Sequence, residues 1–90
     1  MNILYKKSFG GDLEKISNAA TKAKVGQIIL LVGKVVSQSN IPGLKKMKTG
    51  KKGNYYRIRM GDYRIGVEIE GDTVTFVAFG HRKDIYKSFP

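Results

Sequence analysis

The sequence predicts an α+β domain: a two-helix hairpin packed on one face of a small, mainly antiparallel four-stranded sheet. Three observations lead there. Two Gly-Asp pairs, Gly61-Asp62 and Gly71-Asp72, interrupt runs of alternating apolar and polar residues, and glycine at the first central position is what a two-residue type II′ hairpin turn requires. Upstream, Val25, Ile28, Ile29, Val32, Val35 and Val36 recur at helical spacing. A length of 90 residues with no cysteine allows one core and no disulfide framework.

Taken in order, residues 2–6 are a short apolar stretch fit to join the later sheet as a strand. Ser8 or Asp12 is placed to cap a first helix that has Leu13 and Ile16 on its apolar side, and Ala19, Ala20 and Ala23 would let that helix approach a neighbour closely. Gly10 and Gly11 weaken its start. Residues 21–38 read as the second helix, antiparallel to the first. Ile41-Pro42-Gly43 stops it, and Leu44 anchors the returning chain. Residues 45–54, KKMKTGKKGN, read as a flexible basic loop leading into the first strand of the C-terminal sheet. The order is strand, helix, helix, strand, strand, strand, with both helices on one side.

Two-residue turns fix the pairing. Met60 faces Tyr63, Ile58 faces Ile65, and Tyr56 faces Val67; in the second hairpin Ile69 faces Val74, Val67 faces Phe76, and Ile65 faces Ala78. These side chains form the core face. On the opposite face Arg59 falls opposite Arg64 and Arg64 opposite Phe79, with Arg57 one pair along and His81 two residues beyond Phe79. Gly66 sits on this face beside Val77, where it marks either a bulge or room for a ligand. Like charges opposed across a ladder repel. Their presence points to an anion, and a phosphate suits the guanidinium fork; the plainer reading is a solvated basic face balanced in part by Glu68.

Charge narrows the function classes. Seventeen Lys and Arg against seven Asp and Glu leave a net charge of +10, which points to a polyanionic partner. No long apolar core follows the first basic residues, and the apolar run at residues 28–32 is far too short to span a bilayer. A cytoplasmic protein with no membrane partner is expected. A single histidine and no paired carboxylates at ligand spacing argue against a metal site, and no cofactor motif is present.

RNA is cleaved without metal when its 2′-hydroxyl attacks the adjacent phosphate. The reaction needs a base at that hydroxyl, cations on the phosphate and an acid at the leaving 5′-oxygen. Arg59, Arg64, His81, Arg82 and Tyr86 gather near the strand ends as candidates for those roles. Histidine serves as acid or base near neutral pH, whereas tyrosine serves as a base only where cations favour its phenolate. Tyr55 and Phe79 offer flat surfaces for an unstacked base. Arg57 with Lys45, Lys46, Lys48, Lys51 and Lys52 would add salt-dependent, sequence-blind affinity for a phosphate backbone.

The run YYRIRMGDYRIGVEIEGDTVTFVAFGHRKDIY, residues 55–86, resembles the C-terminal half of the RelE/ParE toxin superfamily, with its GDYR hairpin and GHRKDIY-like ending. The resemblance covers nearly the whole chain and implies one toxin domain, residues 1–90, of a type II toxin–antitoxin pair. It implies a cognate antitoxin as partner, bound in a hetero-oligomer. RelE-like members cleave mRNA in the ribosomal A site, among ribosomal RNA; ParE-like members share the fold and bind gyrase instead. By position, Arg57 and Arg59 match phosphate-contacting strand residues, and Arg64 and Arg82 match functional arginines. Tyr86 matches the tyrosine that acts as base or stacking platform. Arginine rather than lysine at 57 and 59 favours charge stabilisation over proton transfer. A third reading, a basic RNA-binding domain without activity, remains beside these two.

Overall fold

The computed structural model describes residues 1–90. The chain runs through β1 (Asn2–Tyr5), α1 (Lys7–Glu14), α2 (Ala19–Lys34), β2 (Leu44–Lys46), β3 (Tyr55–Met60), β4 (Tyr63–Glu70) and β5 (Thr73–His81). Gly61 and Gly71 have φ of 58° and 55°, and no residue other than glycine has positive φ. Only the first central residue of each hairpin is therefore left-handed, the type II′ pattern that the Gly-Asp pairs predict.

The sheet has five strands in the order β1-β5-β4-β3-β2, and β1 runs parallel to β5. It is therefore mixed, with one strand more than the alternation suggests. The additional strand is β2, where Leu44, Lys45 and Lys46 pair with Ile58, Arg57 and Tyr56. Lysines on a three-residue edge strand look like loop in sequence, yet they are what an edge uses to resist further pairing. Only the rest of the basic segment, residues 47–54, is loop.

The helices divide differently from the expectation. Lys6 precedes α1 without a side-chain cap, so neither Ser8 nor Asp12 starts that helix. α2 begins at Ala19, where the Asn18 side chain accepts from the Thr21 N–H at 3.0 Å. Ala19, Ala20 and Ala23 thus belong to the second helix, which ends at Lys34 as Val35 turns extended. Both helices bury their apolar sides on one sheet face: Phe9 from α1 and Val25 and Val32 from α2 join Ile58, Ile65, Val67, Ile69, Val74, Phe76 and Phe79. Each such side chain contributes about 1.5–3 kcal/mol when fully buried. No helix is long and apolar enough to cross a membrane.

One irregularity redirects the end of β5. β4 and β5 pair as the turn dictates through Ile69↔Val74 and Val67↔Phe76, and then the register shifts, so Gly66 pairs with Ala78, Ile65 with Phe79, Arg64 with Gly80 and Tyr63 with His81. Val77 is the extra residue of a bulge, and every residue after it changes face. Ile65 therefore faces Phe79 rather than Ala78, and Arg64 faces Gly80 rather than Phe79. The physical reason is packing: Phe79 is 5% exposed and stacks on Tyr63 with ring centroids 5.2 Å apart, filling core volume that alanine would leave empty.

The bulge lies where β1 stops pairing, at Phe76. From there α1 takes over the outer edge of β5. The Ser8 hydroxyl donates to the Val77 carbonyl, and the Phe79 N–H donates to the Asp12 carboxylate at 3.0 Å. Ser8 and Asp12 stand four residues apart, on one side of the helix.

Candidate functional site

The sheet face away from the helices carries Tyr55, Arg57 and Arg59 from β3 and Arg64, Gly66, Glu68 and Glu70 from β4. Arg59 pairs with Arg64, Arg57 with Gly66, and Tyr55 with Glu68; Lys45 flanks Arg57 from β2. The face is polarised. Its basic half lies at Lys45, Arg57, Arg59 and Arg64, whereas Glu68 and Glu70 join Leu4, Thr73 and Thr75 around a hollow of about 220 Å³ at the other end. The chain's ion pairs are Arg82–Asp62 and Lys87–Asp84, so no carboxylate neutralises the basic half.

Residues 82–90 cross this face and partly close it. The Arg82 N–H donates to the Asp62 carbonyl at 2.8 Å, and its Nε lies 3.9 Å from the Asp62 carboxylate. A 3-10 turn follows at Ile85–Lys87. Ile85 and Phe89 are each 3% exposed and form a second apolar cluster with Ala78, bordered by Met47, Tyr55 and Val77. Tyr55 meets Phe89 edge to face at 5.7 Å, so part of the ring expected to stack a base instead packs against the tail.

Tyr86 points outward between those two anchors and is 49% exposed. It lines a cleft of about 450 Å³ with Lys45, Lys46, Met47, Lys48 and Arg57. Arg57 Nη1 donates to the Gly43 carbonyl at 2.9 Å. Gly43 has φ 74°, and a Cβ there would stand 3.0 Å from the Arg59 carbonyl oxygen; the Pro-Gly turn thus needs glycine to reach β3 and steady Arg57. Arg64 Nη1 donates to the Gly61 and Tyr63 carbonyls at 2.7 and 2.8 Å, which ties its guanidinium to the hairpin turn.

The structure does not bring all the sequence-predicted residues together. Arg57, Lys45, Lys46, Lys48 and Tyr86 share the cleft. Arg59 and Arg64 are paired on the same face, and Arg82 sits beside the same hairpin turn through Asp62. Lys51 donates to the Pro90 carbonyl oxygen, joining the loop to the tail, and Lys52 is exposed. Phe79 is core, so it is no stacking platform. His81 lies on the helix side of the sheet, edge-on to Tyr63 at 5.8 Å, with Nδ1 accepting from the Lys83 N–H at 3.1 Å. The bulge moved both off the arginine face. Gly66 does mark that bulge, and the room above it is filled by Phe89. Ile85 and Phe89 are the residues that sequence reasoning missed; their four-residue spacing on a tail beyond a strand was the available signal.

Comparison with known proteins agrees with this architecture. A family model described as the ParE toxin of the type II toxin–antitoxin system parDE matches residues 3–86. Toxin RelE3 of Methanocaldococcus jannaschii is 39% identical over 92 residues, spanning 100% of both chains. The toxin–antitoxin complex RelB–RelE from Methanococcus jannaschii contains a chain 37% identical at a TM-score of 0.73, with 97% of this chain and 99% of that one covered. YafQ from E. coli shares the fold at 17% identity and a TM-score of 0.67, over 94% and 97% of the two chains. With nearly the whole chain matched by sequence and fold alike, this protein belongs to the RelE/ParE family of type II toxin–antitoxin toxins.

Proposed function

We propose that this toxin is an endoribonuclease that cuts mRNA on the ribosome, acting through the cleft at Tyr86. The observation that carries the reading is a half-exposed phenol held over a cleft walled by Lys45, Lys48 and Arg57. In the proposed reaction the 2′-hydroxyl oxygen bonds to the adjacent phosphorus and the bond to the 5′-oxygen breaks. The products are a 2′,3′-cyclic phosphate and a 5′-hydroxyl. Arg57 and Lys45 stabilise the charge that builds on the phosphate, and Arg59 and Arg64 hold the neighbouring backbone. Tyr86 either moves a proton or holds a base by stacking. Cations on a sheet suit a phosphate backbone, because such contacts position the strand without reading sequence.

The reading includes a cognate antitoxin that covers the basic face, supported by the +10 charge and by relatives solved as RelB–RelE complexes. The toxin would act in the cytoplasm, where ribosomes are. The family model's own description, ParE, favours a second reading in which the chain binds gyrase and cuts nothing.

Primer extension on translating ribosomes, run beside a gyrase supercoiling assay, separates the two. The nuclease reading expects new 3′ ends within codons upon toxin addition and unaltered supercoiling. Intact mRNA together with inhibited supercoiling would replace it with the ParE reading.

A further inference from the structure

Tyr86 is exposed, yet the tail that carries it is anchored on both sides. Ile85 and Phe89, each 3% exposed, are buried against the sheet, while Tyr86 between them turns out toward Lys45 and Arg57. The tail is further held by a single turn, in which the Lys87 N–H donates to the Asp84 carbonyl and the Ser88 and Phe89 N–H groups donate to the Ile85 carbonyl, and by the Lys51 ammonium on the Pro90 carbonyl. The seat of Phe89 is one vacancy in the sheet. Across the sheet the row runs Lys45, Arg57, Gly66, Ala78, and in that row Gly66 alone has no side chain. The Phe89 ring occupies the space, so close that a Cβ on Gly66 would come within 2.7 Å of two ring carbons. The same ring meets Tyr55 edge to face at 5.7 Å.

We propose that Gly66 and Phe89 are a positioning pair, ring in hollow, that sets Tyr86 over the Lys45–Arg57 cleft. The proposal rests on the reading of that cleft as the RNA site. Neither residue touches RNA; both act through the placement of Tyr86. The row that supplies Arg57 to the phosphate also supplies the hollow beside it, so the spacing between phenol and guanidinium is set within one strand pair. A glycine in the middle of a strand, normally a weakness, is explained by this close approach.

The test uses the full chain in four forms besides wild type: Phe89→Ala, Phe89→Leu, Gly66→Ala, and Gly66→Ala with Phe89→Ala. Amide exchange of Lys87, Ser88 and Phe89, or of the residue replacing Phe89, reads docking. Single-turnover cleavage on ribosomes reads Tyr86 placement, and titration with a short single-stranded RNA reads the cations. Phe89→Ala should speed tail exchange about tenfold or more and slow cleavage on the order of 100-fold. The salt dependence of RNA affinity should be unchanged, because the cations remain. Phe89→Leu should recover most of the rate. Gly66→Ala should match Phe89→Ala, and the double variant should be no worse than either, since both disable one device. A freed tail with cleavage unchanged, or losses that multiply in the double variant, would overturn the proposal. If wild type cuts no mRNA, the nuclease reading fails while the pair is judged on exchange: tail amides no faster in Phe89→Ala than in wild type would sink it, and equally freed amides in both single variants and the double would uphold it.

Discussion

The Asp12 carboxylate and the Phe79 ring show how much of this fold rests on single side chains. Asp12 reaches from a helix to a strand 67 residues away in sequence to accept one N–H, and Phe79 fills the core beside Ile65. His81 shows the consequence for chemistry. With one extra residue inserted upstream, its imidazole meets Tyr63 on the helix side of the sheet, while Arg59 and Arg64 face the other way. A general acid or base must lie within hydrogen-bond reach of the proton it moves. His81→Ala should therefore keep mRNA cleavage within about threefold of wild type, since proton transfer by a positioned group is worth about 100-fold or more. A loss of that larger size in a variant with unchanged thermal stability would return His81 to the site.

At the scale of elements, the bulge in β5 and the helix beside it act as one unit. β1 stops pairing at Phe76, which leaves the outer edge of β5 open beyond it, and α1 meets the Val77 carbonyl and the Phe79 N–H there with Ser8 and Asp12. Leaving a buried donor unsatisfied costs about 1–3 kcal/mol. Asp12→Ala should accordingly lower the unfolding free energy by about that amount, seen as a urea midpoint lowered by that energy divided by an unchanged slope; an unmoved midpoint would show that water replaces the carboxylate at no cost. Much of this level was legible in sequence. Gly61 and Gly71 announced both turns, and the pairing was readable as far as Val67, because apolar alternation and turn length agree there. Beyond Val67 the register was hidden, since Val77, Ala78 and Phe79 are all apolar and alternation cannot say which is the extra one. The larger ring at 79 and the glycine at 66 were the only signs. β2 was hidden for a different reason: an edge strand protected by lysine has the composition of a loop.

The whole molecule separates its tasks by face. The helices and one side of the sheet hold the core; the other side carries cations at one end, carboxylates at the other, and a docked tail between. On that face the charge is therefore not spread evenly. Glu68 and Glu70 lie toward the β1 end, and the cations run along the strip from Lys45 to Arg64, the end where Tyr86 sits. Family membership is shown by the match across the chain, but only the cleft argues for nuclease chemistry within it.

The proposed nuclease chemistry requires that the phenol over Lys45 and Arg57 take part in cutting RNA. The most direct measurement is the single-turnover cleavage rate of mRNA on programmed ribosomes for wild type, Arg57→Ala and Tyr86→Ala. Loss of a transition-state cation should slow Arg57→Ala by about 100-fold or more, and Tyr86→Ala by a similar factor. Tyr86→Phe measured alongside would then divide proton transfer, which it abolishes, from base stacking, which it keeps. Wild-type cleavage rates in both alanine variants would contradict the account and place the activity outside the cleft.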